Sequence, residues 1–225
     1  MCFSANVSLA TFLFGGIGSY LVWTLGTIFD KIAGLFMGFV ALMQGIEYLL
    51  WKNRECNRSN KLVSIVGMWL NHLQPLVLGA LVLWFNPQTA YNSVIEGIMA
   101  LYTAIIVPYS LQFQDKANLQ CSVPKPYEPH IVWNWNNMSY GTFVYVIFLI
   151  ALSLIGLLGM PTLTQGLVFA SIAVITLLLS HLFFYKRPVV GSMWCFFVVL
   201  LPAIYYILRL TVIKDFGAAT VSTRR

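Results

Sequence analysis

Charge is what this sequence has least of. Thirteen Lys and Arg and seven Asp and Glu among 225 residues make 9%, where a soluble domain carries roughly 25%. No polar stretch is long enough to form a soluble domain of its own. The basic excess of +6 is spread over short links and not gathered into a stripe, which argues against a nucleic-acid partner. Catalytic signatures are missing too. There is no CxxC, HxxxH or HExxH spacing, no glycine-rich phosphate loop and no GxSxG elbow. No lysine lies in the middle of the last apolar segment to carry a retinal Schiff base, and no apolar segment bears the repeated arginines of a voltage sensor. No Lys or Arg precedes the first apolar run and no small-x-small site follows it, so that run is expected to be a retained helix. By the same token, Cys2 is not in a lipoprotein context. Comparing the segments reveals no internal repeat, which weakens a transporter of inverted halves.

What is present is apolar. Hydrophobic residues make up 59% of the chain and the mean hydropathy is +0.80. Seven segments approach the ~20 residues that cross a bilayer: about Val7–Thr27, Lys31–Trp51, Leu62–Phe85, Tyr91–Leu111, Ser139–Leu158, Gln165–Tyr185 and Val189–Leu208. The expected fold is all-α, a polytopic helical membrane bundle of about seven spans. It forms one domain over residues 1–213, followed by a polar tail over 214–225. Seven crossings put the termini on opposite sides, here A for the N-terminus and B for the C-terminus. Side A then holds eight basic residues (Lys52, Arg54, Arg58, Lys61, Lys116, Lys125, Lys186, Arg187) and side B five (Lys31, Arg209, Lys214, Arg224, Arg225). The excess of positive charge on cytoplasmic loops therefore predicts a cytoplasmic N-terminus.

The residues able to carry chemistry gather towards side A. Gln44, Glu47 and Trp51 are spaced three and four apart, so they share one face of the second segment. Glu47 is a carboxylate in a stretch otherwise fit for lipid, and such a group faces a bundle interior or water. It serves either a cavity or a purely structural hydrogen bond. His72, with Asn71 and Gln74, lies roughly 16 Å down the third segment against roughly 6 Å for Glu47. The two would therefore line one path without gripping one ion. Pro75 cannot donate to the Asn71 carbonyl and should bend the helix beside His72; Pro108 and Pro202 should act alike on Ala104 and Val198. Near side A come His181 at the end of the sixth segment and Ser192, Trp194 and Cys195 in the first turns of the seventh. His181 reads as interfacial before it reads as a ligand. Trp133 and Trp135 read first as an interfacial aromatic belt and second as a lid over the site.

Cysteine and histidine suit zinc, and Cys2, Cys195 and His181 are the candidate ligands if side A is cytoplasmic and reducing. If side A is outside, Cys56 and Cys121 become a disulfide pair between adjacent loops. Asn6, Asn57 and Asn137 are then glycosylation acceptors.

Three stretches together carry a resemblance: Met1-Cys2-Phe3-Ser4-Ala5, the QxxExxxW of Gln44, Glu47 and Trp51, and Ser192-Met193-Trp194-Cys195-Phe196. The chain resembles a family of uncharacterised multipass membrane proteins of bacteria and large viruses whose chains open MCFSA. Tyr48 departs from the glycine expected after the Glu. The resemblance implies a membrane fold, directs attention to Cys2, Glu47, Trp51, Trp194 and Cys195, and implies no activity. The expected function is binding or permeation of a small solute or ion at Glu47, within a lipid bilayer. A metal-dependent membrane enzyme using His181, Glu47 and nearby cysteines is the alternative, and a receptor-like or structural role the third.

Overall fold

Side-chain caps mark where the chain turns back. Ser4, Thr27, Asn57 and Thr162 accept hydrogen bonds from the backbone N–H three residues on, at 2.9–3.3 Å. The structure, a computed structural model, describes residues 4–116, 120–124, 130–184, 189–213 and 216. Among these are eight α-helices: α1 (Ala5–Thr24), α2 (Ile28–Lys52), α3 (Arg58–His72), α4 (Gln74–Phe85), α5 (Asn92–Asp115), α6 (Gly141–Gly159), α7 (Leu163–Phe184) and α8 (Val190–Thr211). The expected all-helical bundle is what forms.

Six helices are each long and apolar enough to cross a bilayer, and α3 with α4 passes only as a pair bent by 46°. Loop contacts make that pair one broken crossing. At its start, Asn60 holds Ser122 beyond the end of α5. At its finish, Asn86 and Thr89 donate to the carbonyls of Gly159 and Leu158. Helix α5 joins those two ends, so α3–α4 spans between them. The break falls where Pro75 predicts it, with the proline in the first turn of α4. The Asn71 carbonyl accepts from Leu73 instead, and the His72 carbonyl accepts from the Tyr102 hydroxyl at 2.8 Å. Pro108 and Pro202 behave differently, because α5 and α8 run on through them.

Helix α1 packs along α2, and α8 lies against both. Their close approach depends on Gly34, where a Cβ would stand 2.7 Å from the Trp23 backbone nitrogen and 2.8 Å from the Ser19 carbonyl oxygen. Helix α6 packs on α4, α5 and α7, and α7 packs chiefly on α6 and α8. Ile32, Met43, Leu50, Met68, Leu78, Ile106 and Ile155 fill the interior. The outer faces are apolar as well: Leu13, Phe14 and Ile17 of α1 and Leu178, Leu182 and Phe183 of α7 are exposed. Gln44, Glu47, Asn71, His72 and Gln74 are meanwhile buried. Apolar outside with polar groups buried suits lipid as the surrounding solvent. The chain is an integral, multi-pass membrane protein.

Candidate functional site

The shared face predicted for Gln44, Glu47 and Trp51 is the buried face of α2, and neither Gln44 nor Glu47 has any exposed surface. Thr11 of α1 donates to Gln44 Oε1 at 3.0 Å. Glu47 acts electrostatically on the Cys195 thiol of α8, and the Gln74 side chain of α4 lies close enough to hydrogen-bond that thiol. Gln74, Cys195 and Trp194 line a cavity of about 20 Å³, room for one water. Trp194 donates to Thr176 of α7 at 2.8 Å, which fixes its ring. Carboxylate, amide and thiol thus come from three separate helices, beneath the side-A end.

The bend after His72 divides the polar residues predicted on that segment. Gln74, beyond it, faces Cys195. His72, before it, faces α5, where its Nδ1 pairs with Ser110 Oγ at 2.7 Å and Ser110 donates on to the Ile106 carbonyl. Asn71 and His72 share a second cavity, of about 10 Å³, with Tyr109, Asn136 and Tyr145.

Residues 130–138, which precede α6, are drawn into the bundle, and Asn136 borders the second cavity. Trp133 and Trp135 stack at 4.9 Å between centroids, and both are buried. Tyr109 donates to the Trp135 carbonyl at 2.8 Å. Their burial overturns the expectation of an interfacial belt, since a belt residue presents its ring to the headgroups. The loop between α5 and α6 is also anchored beside the start of α3. Cys56 is disulfide-bonded to Cys121. Beside that bond, Asn60 donates to the Asn53 and Ser122 carbonyls at 2.6 and 3.0 Å, while its oxygen accepts from the Ser122 N–H at 3.0 Å.

Several polar atoms turned inward in this half have no protein partner: Nε1 of Trp51, Trp133 and Trp135, the Tyr145 hydroxyl and Ser192 Oγ. Buried polar atoms in native proteins are almost always satisfied, by ordered water where protein does not serve. Ordered water is the ordinary partner of such atoms.

Two of the three predicted zinc ligands fall within the described residues. Cys195 is buried in α8, His181 lies exposed on α7, and Cys2 is outside the described residues. Among the described residues no three His, Cys, Asp or Glu side chains stand close enough to share a metal ion.

One polar cluster escapes the sequence reading altogether. At the side-B end Asp30, fully buried in the first turn of α2, accepts from Thr27 at 2.6 Å, Tyr205 at 2.5 Å and Arg209 at 3.3 Å. The available signal is Thr-x-x-Asp at 27–30, a helix-start pattern that places a carboxylate at the positive end of α2. No family model, curated protein or solved structure matches the chain, so the functional reading rests on this geometry.

Proposed function

We propose that the side-A half of the bundle binds a small polar solute or ion at Glu47, beneath the loop that carries Trp133 and Trp135. The observation that supports this is the complete burial of Glu47 beside the Gln74–Cys195 cavity. An ionisable group at membrane depth is costly, and such groups commonly mark ion or solute pathways. Tyr145 borders the second cavity, and the inward-turned indoles and the Ser192 hydroxyl lie in the same half of the bundle. The small size of both cavities favours a proton or a small ion over a bulky ligand. The test is flux in vesicles reconstituted with the full chain, using proton entry reported by an internal dye and rubidium uptake as probes. Glu47→Gln is expected to lower at least one of them by about tenfold or more. If both fluxes match the wild type and only thermal stability moves, the carboxylate is a structural lock and the proposal fails.

Side A, on this reading, faces an oxidising compartment. The support is the Cys56–Cys121 bond, because such bridges persist where thiols are not kept reduced. The loop-charge count points to the cytoplasm instead, but eight against five is a small margin, and one of the five, Arg209, is buried in an ion pair. The bond outweighs it. In intact cells, an impermeant maleimide is expected to label Cys56 and Cys121 only after an impermeant reductant is added. Labelling that requires opening the membrane, without reductant, would reverse the orientation.

A further inference from the structure

A sizeable apolar space lies at the other end of the molecule. Helices α2 and α7 touch through the Phe36 and Phe169 rings, 5.7 Å apart, but otherwise pack little on each other. Helices α7 and α8 are pinned near side A by Ser180 donating to the Val190 carbonyl and by Trp194 donating to Thr176. Below those two bonds no further hydrogen bond joins α7 to α8 among the described residues. A crevice of about 320 Å³ opens there, within the size range of ligand pockets. Phe29, Ala33 and Met37 of α2, Ile172 of α7 and Leu201 and Pro202 of α8 are among its walls.

Two features identify what fits. The floor towards side B is shut: the Phe29 and Tyr205 rings pack on Phe216, whose carbonyl is held by Gln165. The side is open: Val168, Ile204 and Leu208 line the crevice and are also 36%, 51% and 40% exposed on the lipid-facing surface. An occupant therefore enters sideways from the bilayer and not from the water on side B. Inside, the Tyr205 hydroxyl is committed to Asp30, so a polar ligand would find little to bond. An empty apolar space of this size would forfeit the packing of its whole lining. From Phe29 to Met37 the walls rise roughly 12 Å at 1.5 Å per residue. One leaflet offers roughly 15 Å of hydrocarbon, half of ~30 Å.

We propose that this crevice holds one acyl chain of a phospholipid of the side-B leaflet, entering between α7 and α8 while its headgroup stays at the membrane surface. Lateral access limits the occupant to molecules already in the bilayer, and phospholipid acyl chains are by far the most concentrated of these at the portal, so mass action favours them. The inference does not rest on the Glu47 reading.

The test uses the full chain in phosphatidylcholine vesicles doped with phosphatidylcholine carrying a diazirine on one acyl chain. After irradiation, labelled peptides are mapped. Crosslinks are expected on inward residues such as Ala33, Met37 and Leu201, besides those on the lipid-facing surface. Ile204→Trp, at the portal and already exposed, should cut inward labelling by about tenfold, while Leu178→Trp, exposed elsewhere on α7, should leave it unchanged. Ala33→Phe, which fills the crevice from within, should act like Ile204→Trp. Absence of inward labelling in the wild type, or inward labelling indifferent to both Ile204→Trp and Ala33→Phe, would overturn the proposal. So would equal inward labelling by a diazirine fatty acid at the same mole fraction, because the source would then not be phospholipid.

Discussion

Replacing both Cys56 and Cys121 with serine is expected to lower the stability of the folded chain by about 2–4 kcal/mol, seen as an earlier midpoint in a detergent or thermal unfolding titration. The bridge closes a loop 65 residues long, and loop-closure entropy alone sets the upper figure. That loop contains α3, α4 and α5, which remain helical and membrane-bound even when tertiary contacts are lost, so fewer states are removed and the lower figure applies. Reductant should reproduce the loss in the wild type and leave the double-serine chain unmoved. Cys195, buried in α8, provides the control, because Cys195→Ser should not alter the response to reductant. What remains after reduction is the Asn60–Ser122 pair and the Tyr109–Trp135 bond, which keep the loop near its place without the covalent tie. A midpoint indifferent to reductant would mean that the bridge contributes nothing to the fold.

Much of the architecture was legible because a bilayer constrains sequence so strongly. Span lengths, the turn residues between them and the Pro75 break follow from apolar run length and from a missing N–H. The face carrying Gln44, Glu47 and Trp51 followed from helical spacing, and all three are buried. Spacing could not say what that face would meet. Cys195 lies 148 positions beyond Glu47 and reaches it only because α8 returns against α2. The prolines show the limit of a local rule. Pro75 breaks its helix, whereas Pro108 and Pro202 sit within continuous helices. Trp133 and Trp135 mislead for a similar reason, since a tryptophan beside a span is an interfacial anchor unless a loop is pulled inward, and the anchors that do so include Cys56–Cys121 and Asn60. The Asp30–Arg209 pair was invisible because its members are 179 residues apart. Counting charge by loop then treats a buried, paired arginine as a free surface one.

Asp30→Ala is expected to be the most damaging single change, costing about 3–5 kcal/mol, because it leaves the Arg209 guanidinium buried without its carboxylate. The pair is placed where both helices favour it. Asp30 lies in the first turn of α2, at the positive end of that helix, and Arg209 in the last turn of α8, at the negative end. Tyr205 adds a short hydrogen bond to the carboxylate, so Tyr205→Phe should cost about 1.5–3 kcal/mol, typical of a bond to a charged group. Removing both charges is a different experiment from removing one. Asp30→Leu combined with Arg209→Met takes away the unmatched charge and fills the space with apolar atoms, so it should recover most of the loss. A double-mutant cycle over the two positions then reads the coupling directly, and in contact at 3.3 Å it should be well outside additivity. If the double variant is as unstable as Asp30→Ala, the charges fix the geometry of α2 against α8 in a way that apolar packing cannot replace. If the cycle closes additively, the two groups are satisfied independently and the ion pair does not join α2 to α8.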